Sequence, residues 1–264
     1  MNRSSAFFGI LLILVGVVLL VALQMGVEVW RIVWPALLIL VGLWVLWGAY
    51  ASRGAPAERQ TASLRLEGAA RAALRLRHGA GRMRLGSGAT PGELFSGTFG
   101  GGLDLRSHRQ GEALEADLRV PSPSFFVPFP WVGWRELEWD VRLTDAIPIS
   151  LRVESGASET ELDLTTLRVT ELRLGTGASS TEIRLPAAAG NTKVRIDAGV
   201  ASVKILVPQG VGARIRAGGG LSEIKVDSSR FPRQGSFHQS PDYDTAANKA
   251  DVSVQMGVGS VEVR

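Results

Sequence analysis

The sequence predicts a membrane-anchored all-β protein: an N-terminal two-helix transmembrane hairpin followed by a C-terminal β-solenoid. Two observations carry this expectation. Two long runs free of ionisable residues open the chain, and a glycine-centred unit of alternating apolar residues recurs about every twentieth position further on. Composition then narrows what such a protein can do.

The first uncharged run extends from Ala6 to Val27 and the second from Ile32 to Tyr50. Each fits the roughly 17–25 residues that a helix needs to cross the hydrocarbon core of a bilayer. Glu28 and Arg31 are the charges between them, so residues 1–51 read as an antiparallel pair of spans, about 6–27 and 32–50. A cleaved signal peptide competes for the first run, but no small-x-small cleavage site precedes the second. Trp30 and Trp34 lie at one end of the second span and Trp47 and Tyr50 near the other, which suits headgroup depth. Arg3 precedes the hairpin and Arg53 and Arg59 follow it, against Arg31 in the turn. The positive-inside tendency therefore places both ends in the cytoplasm, with the large C-terminal domain among them.

Residues 52–61 are small, polar and proline-containing, and read as a linker. Residues 62–264 read as the β domain. It opens with Leu64 and Leu66, then Leu74-Arg-Leu76-Arg-His78-Gly79-Ala-Gly81-Arg-Met83-Arg-Leu85, an apolar alternation on both sides of a glycine. The same design is fullest between Leu151 and Val226. Leu151-Arg-Val153 and Leu162-Asp-Leu164 flank Gly156, and Leu172-Arg-Leu174 and Ile183-Arg-Leu185 flank Gly177. Val194 and Ile196 precede Gly199, and Ile215 precedes Gly218. The intervals between these corner glycines are 21, 22 and 19 residues. Period-two apolarity means strands, and a fixed period near twenty means stacked coils that cannot bury their apolar stripes singly. Val252, Val254, Val261 and Val263 repeat the pattern around Gly257. The corner glycines are thus Gly79, Gly156, Gly177, Gly199, Gly218 and Gly257. Each suits either a positive φ or a close approach of neighbouring backbones.

Two stretches break the rhythm. Residues 120–141 carry Pro121, Pro123, Pro128 and Pro130 among Phe125, Phe126, Phe129, Trp131, Trp134 and Trp139. Such an insertion either plugs an apolar end of the solenoid or presents a patch to a partner or the bilayer interface. On the second reading Phe125, Phe126, Phe129, Trp131 and Trp134 are the contact residues. Residues 227–250 lack periodicity and read as a long loop.

Composition excludes several classes. The chain has 29 Lys or Arg against 25 Asp or Glu, dispersed without a basic stripe, so the net charge of +4 does not predict nucleic-acid binding. There is no cysteine, hence no disulfide and no thiol chemistry. His78, His108 and His238 are scattered, without metal-ligand spacing. Glu154, Glu161, Asp163 and Glu182 alternate with the leucines of their strands, which places them on a solvated face. Serines beside the corners have neither a nucleophile elbow nor a paired histidine. No catalytic residue, cofactor, metal or small-molecule substrate is expected.

The hairpin segment Trp34-Pro35-Ala-Leu-Leu-Ile-Leu-Val-Gly42-Leu resembles the paired spans of bacterial LiaI and LiaF-type envelope-stress proteins. Arg75 to Leu85, Phe95-Ser-Gly-Thr-Phe99, Ile147-Pro148-Ile149 and Gly257-Val-Gly259-Ser-Val-Glu-Val263 resemble toast-rack domains of the same architecture. The resemblance implies a single-layered β-helical rack and, for the LiaF type, a membrane-bound modulator of an envelope-stress histidine kinase. It implies no catalytic residue. The expected function is non-catalytic regulation by protein–protein contact at the cell membrane, with a sensor histidine kinase or other membrane protein as partner. A self-associating scaffold, a homo-oligomer joined through the solenoid, is the alternative.

Overall fold

A fifteen-residue strand spans about 50 Å when straight, yet residues 149–163 are followed after only five residues by a strand in parallel register with them. Five residues reach at most ~18 Å. The strand must therefore fold back on itself, and the corner glycine is where it does so. This requirement generates the architecture.

The computed structural model describes residues 59–121 and 137–264, together with Trp34, Pro35, Leu38, Ile39 and Gly42. The chain divides into two compact units, Met1–Ala55 and Pro56–Arg264. In the first unit the five described residues are helical. Among the described residues no helix is long and apolar enough to cross a membrane. The predicted spans otherwise lie outside the described residues.

In the second unit the described strands are β1 (Arg59–Arg65), β2 (Arg71–Ser87), β3 (Glu93–Gly100), β4 (Asp104–Gln110), β5 (Ala113–Arg119), β6 (Glu138–Leu143), β7 (Ile149–Asp163), β8 (Val169–Arg184), β9 (Asn191–Leu206), β10 (Val211–Val226), β11 (Arg233–Gln234), β12 (Phe237–Gln239) and β13 (Asn248–Val263). The long ones stack in parallel in the order β2, β7, β8, β9, β13, β10. Each is bent into two arms, so the stack forms two walls around one apolar core. Burial parity records the bend. In β8, Leu172, Leu174 and Thr176 point inward before Gly177, and Thr181, Ile183 and Leu185 do so after it. The even series changes to the odd because the inner face must stay inside around the corner.

At the corners the need is close approach. None of Gly79, Gly156, Gly177, Gly199 and Gly257 has a positive φ. A Cβ on Gly257 would stand 2.7 Å from the Gly199 carbonyl oxygen, one on Gly199 2.8 Å from that of Gly177, and one on Gly156 would overlap that of Gly79. Each corner thus rests on the backbone of the corner below.

Four expectations need correction. The column ends at Gly220, whose Cβ would meet the Gly257 carbonyl oxygen at 3.0 Å, whereas Gly218 lies two residues early beside Gln255, in open space. Three glycines in a row hide the corner from sequence reading. A feature of the stack itself is that β13 inserts between β9 and β10, out of chain order. Residues 138–143 of the aromatic stretch form β6, parallel to the second arm of β2, with Trp139, Val141 and Leu143 buried. Residues 227–250 hold the β11–β12 hairpin and the start of β13, and the first strand takes Arg59 to Thr61 from the linker.

The first-arm wall continues beyond β2 into the β5–β4 hairpin, and the second-arm wall into β6, β3 and β1. At the opposite end, Phe231 is fully buried, and Arg230 donates to the carbonyls of Val207 and Pro208. Arg214 lies over the Tyr243 ring at 4.3 Å and donates to Gln239, while the Tyr243 hydroxyl donates to Asp251. These contacts close that end over the first arm of β10.

The column predicts a contrast between two glycines. Gly257→Ala forces backbone against backbone and should cost on the order of 2 kcal/mol in urea unfolding. Gly218→Ala, which meets nothing, should stay within about 0.5 kcal/mol of the native chain.

Candidate interaction surface

Side chains on the outer walls fall into columns because, past one shift between Ile149 and Ser150, the parallel register runs on from strand to strand. On the first arms, Arg75, Arg152, Arg173 and Arg195 stand side by side. Like charges on adjacent strands repel, so each arginine is held by a carboxylate nearby. Arg75 and Arg152 both bind Glu154, at 2.7 and 2.8 Å, Arg173 binds Glu171 at 2.7 Å, and Arg195 binds Asp197 at 3.0 Å. Burial works against ionisation of Glu154, but the bonds from Arg75 and Arg152 outweigh it and hold the carboxyl below its ordinary range.

On the second arms the columns mix both signs, and one of them alternates over its last four members, Glu182, Lys204, Glu262 and Lys225. One runs Asp140, Arg84, Glu161, Glu182, Lys204, Glu262, Lys225, and its neighbour runs Glu138, Arg82, Glu159, Ser180, Ser202, Ser260, Glu223. Arg82 binds Glu159 at 2.7 Å, Arg84 binds Glu138 at 2.6 Å, and Lys204 binds Glu182 at 3.2 Å. Hydroxyls also bond between coils, as from Ser155 to Thr176 at 3.2 Å and between Ser202 and Ser260 at 3.2 Å. Solvent-exposed pairs of this kind contribute little stability singly. What they fix is a charge pattern on a stiff surface.

Phe125, Phe126, Phe129, Trp131 and Trp134 lie outside the described residues. Both roots of their segment are tied to β2. Val120 donates to the Arg77 carbonyl at 3.4 Å, and the Leu137 carbonyl accepts from the Arg82 amide at 3.0 Å and lies 3.1 Å from Nε2 of His78. Gly81, with φ of 111°, leaves room for Leu137. Trp139 is buried beside this root, its ring 5.2 Å from His78 and edge-on to Phe99 at 5.0 Å, and its Nε1 donates to the Gly100 carbonyl at 3.2 Å.

His78 is a core residue, which its dispersed position in the sequence gave no means of seeing. The Leu137 carbonyl selects the tautomer with hydrogen on Nε2, and Nδ1 is buried without a partner. A second proton would put a charge in an apolar site, and desolvation pulls the pKa from 6.5 to about 4 despite the bond to Leu137. Among the described residues no group of three or more His, Asp or Glu could hold a metal ion. The corner glycines lie side by side in one column, apart from Gly218, and are structural.

A parallel stack of glycine-bent strands, walled outside by charge columns, defines a single-cored β-rack. The family described as the N-terminal domain of toast_rack, DUF2154, matches residues 53–206, and the chain belongs to that family. Among solved structures, one from Clostridium sporogenes, named a "putative cell adhesion protein", shares the fold with a TM-score of 0.71 and 21% identity. The match covers 78% of this chain and 98% of that one. A "putative adhesin" from Bacteroides fragilis aligns with a TM-score of 0.32 and 10% identity over 79% of this chain and 99% of its own, too low to carry an argument. No curated protein matches the sequence.

Neutral burial of His78 has a pH signature. The unfolded histidine takes up its proton near pH 6.5 and the folded one only near 4, so stability is full above that window and falls as pH drops through it. The loss should be on the order of 3 kcal/mol. His78→Leu should lack this component, read as the difference between the two chains in urea unfolding from pH 7 to 4.

Proposed function

We propose that the chain is a membrane-tethered, non-catalytic interaction protein that modulates a bacterial cell-envelope-stress sensor through protein–protein contact. The observation that carries this reading is the pair of outer walls, where parallel register fixes charged side chains in columns on a rigid support. Such a surface recognises a partner by charge pattern and shape, which supplies specificity more than raw affinity. The N-terminal uncharged runs supply the tether, and Trp34, Leu38 and Ile39, helical and more than half exposed, suit a lipid-facing helix. The resemblance of this segment to LiaI and LiaF-type spans supports the envelope-stress role. A relative in fold named for cell adhesion fits a protein that works by surface contact.

In this reading the hairpin holds the rack at the cytoplasmic face and the aromatic segment is the contact. Phe125, Phe126, Phe129, Trp131 and Trp134 lie in sequence between roots fixed on β2, so a partner that grips them is coupled to the first coils of the rack. A sensor histidine kinase held this way is restrained stoichiometrically, and release from the rack frees it.

Two measurements test the proposal. The sequence has no cysteine, so Ser228→Cys on the exposed loop reports sidedness. A membrane-impermeant maleimide should label it only after the cells are opened, and labelling in intact cells would reverse the orientation. Replacing Phe126, Phe129, Trp131 and Trp134 together with Ser should reduce co-purification of the full chain with the envelope-stress kinase at least about tenfold, the scale of lost aromatic hot spots. It should raise kinase phosphorylation and leave the melting temperature unchanged. A fall in melting temperature with attachment intact would instead make the segment a plug.

A further inference from the structure

The two ends of the second-arm wall differ from the closed end of the first-arm wall. After the corner, β10 pairs with β13 on one side, and among the described residues no strand pairs with its other side. The Asp227 amide donates to the Val263 carbonyl at 3.0 Å. Parallel pairing alternates the side to which successive residues turn their amides and carbonyls, and the register is unbroken from Leu221 to Val226. Residues 221, 223 and 225 therefore face β13, while the backbone groups of Ser222, Ile224 and Val226 face outward. An edge of this kind is a template for another strand.

The surroundings of the edge are apolar. The residue following the corner glycine runs Ala80, Ala157, Ala178, Val200, Val258, Leu221 along the column, growing as it nears β10. Leu221 is 80% exposed, Val200 60%, Val258 44% and Ile224 39%. No other part of the described rack domain exposes large apolar side chains in this way.

Charge then selects the occupant. The two outer columns reach the edge as Lys225 and Glu223, which pair with each other at 3.0 Å. The Lys225 column alternates as it reaches the edge, so an incoming strand that continues it places a carboxylate opposite Lys225. Opposite charges meet across the edge when the same strand places a cation opposite Glu223. A second β10 in antiparallel register centred on Ile224 does both, because its own Glu223 falls opposite Lys225 and its own Lys225 opposite Glu223. A parallel copy would set lysine against lysine. β1, the free edge at the far end of the same wall, carries only Arg59 and Arg65 as ionisable residues and offers Lys225 no carboxylate.

We infer that the chain forms a two-fold dimer through the second arm of β10, paired antiparallel about Ile224. Ile224 with its copy, and Ser222 with Val226 on each side, are then the pairs that exchange two backbone bonds each, in agreement with the outward-facing groups. The two second-arm walls fuse into one continuous sheet, and the closed first-arm ends stay outside the contact. The interface is small, and tethering in one membrane raises the effective concentration that favours it. The inference concerns assembly and stands whether or not the rack regulates a kinase.

Cross-linking of the full-length chain in detergent tests it. On the two-fold axis a single substitution meets itself, and Cα atoms of a hydrogen-bonded antiparallel pair lie about 5.5 Å apart, within the range that a disulfide spans. Ile224→Cys should form a disulfide dimer under mild oxidation, and Ser107→Cys on the distant β4 should not. Glu223→Lys should weaken the native dimer at least about tenfold by sedimentation, and Glu223→Lys with Lys225→Glu should restore it. Both charge variants change exposed side chains, and unchanged melting temperatures will show that the fold is intact. A native chain that stays monomeric up to about 100 µM would overturn the inference. So would assemblies that grow beyond two copies, equal cross-linking at both positions, or a charge reversal without effect.

Discussion

Contact between backbones at the glycine corner is the constraint on which the remainder of this structure depends. Strands in a parallel sheet lie about 4.8 Å apart, and a column of bends can keep that spacing only if nothing projects from one bend into the next. Gly79, Gly156, Gly177, Gly199, Gly257 and Gly220 satisfy this without left-handed backbone. Once the corners stack, the arms on both sides are forced into register, the inner residues meet as one core, and the outer residues align as columns. The apolar interior is continuous from Leu74 in β2 to Ile215 in β10 because of that register.

The same register explains why the outer surface is electrostatically ordered. Arginines brought side by side by the first arms are held by carboxylates two residues away on their own strands, as Glu154 is to Arg152 and Asp197 to Arg195, or on the neighbouring strand, as Glu154 is to Arg75. On the second arms opposite charges come both from neighbouring strands, as Glu159 to Arg82 and Glu182 to Lys204, and from the same strand, as Glu223 to Lys225. At the edge of the second-arm wall Lys225 and Glu223 pair with each other, and among the described residues no further strand continues their columns beyond β10. The end over the first arm of β10 is closed by Phe231, Tyr243 and the β11–β12 hairpin, while among the described residues no strand covers the second arm.

Strands and period were legible because period-two apolarity and glycine spacing are local properties. Stacking order was not, since Val252 and Val254 fit between β9 and β10 as well as they would at an end, and only the parallel register of β13 with both decides. Trp139 reads with the aromatic residues before it because bulk masks alternation, though its spacing to Val141 and Leu143 is that of a strand. In β10 the three consecutive glycines 218–220 make the corner ambiguous by two residues. Of the surface, the charged residues were readable as outward-facing, but their column partners come from strands about twenty residues away or more. His78 gave no sign of its burial, which depends on Leu137, nearly sixty residues downstream, returning to its ring.

Insertion of β13 between β9 and β10 has a consequence for how the rack is made. A ribosome releases β10 before β13 exists, so the neighbour that β9 will finally have is absent while the penultimate coil waits. During that interval β9 presents a bare apolar flank, and premature docking of β10 against it would have to be undone. Completion is thus withheld until β13 emerges, since the native neighbours of both β9 and β10 depend on it.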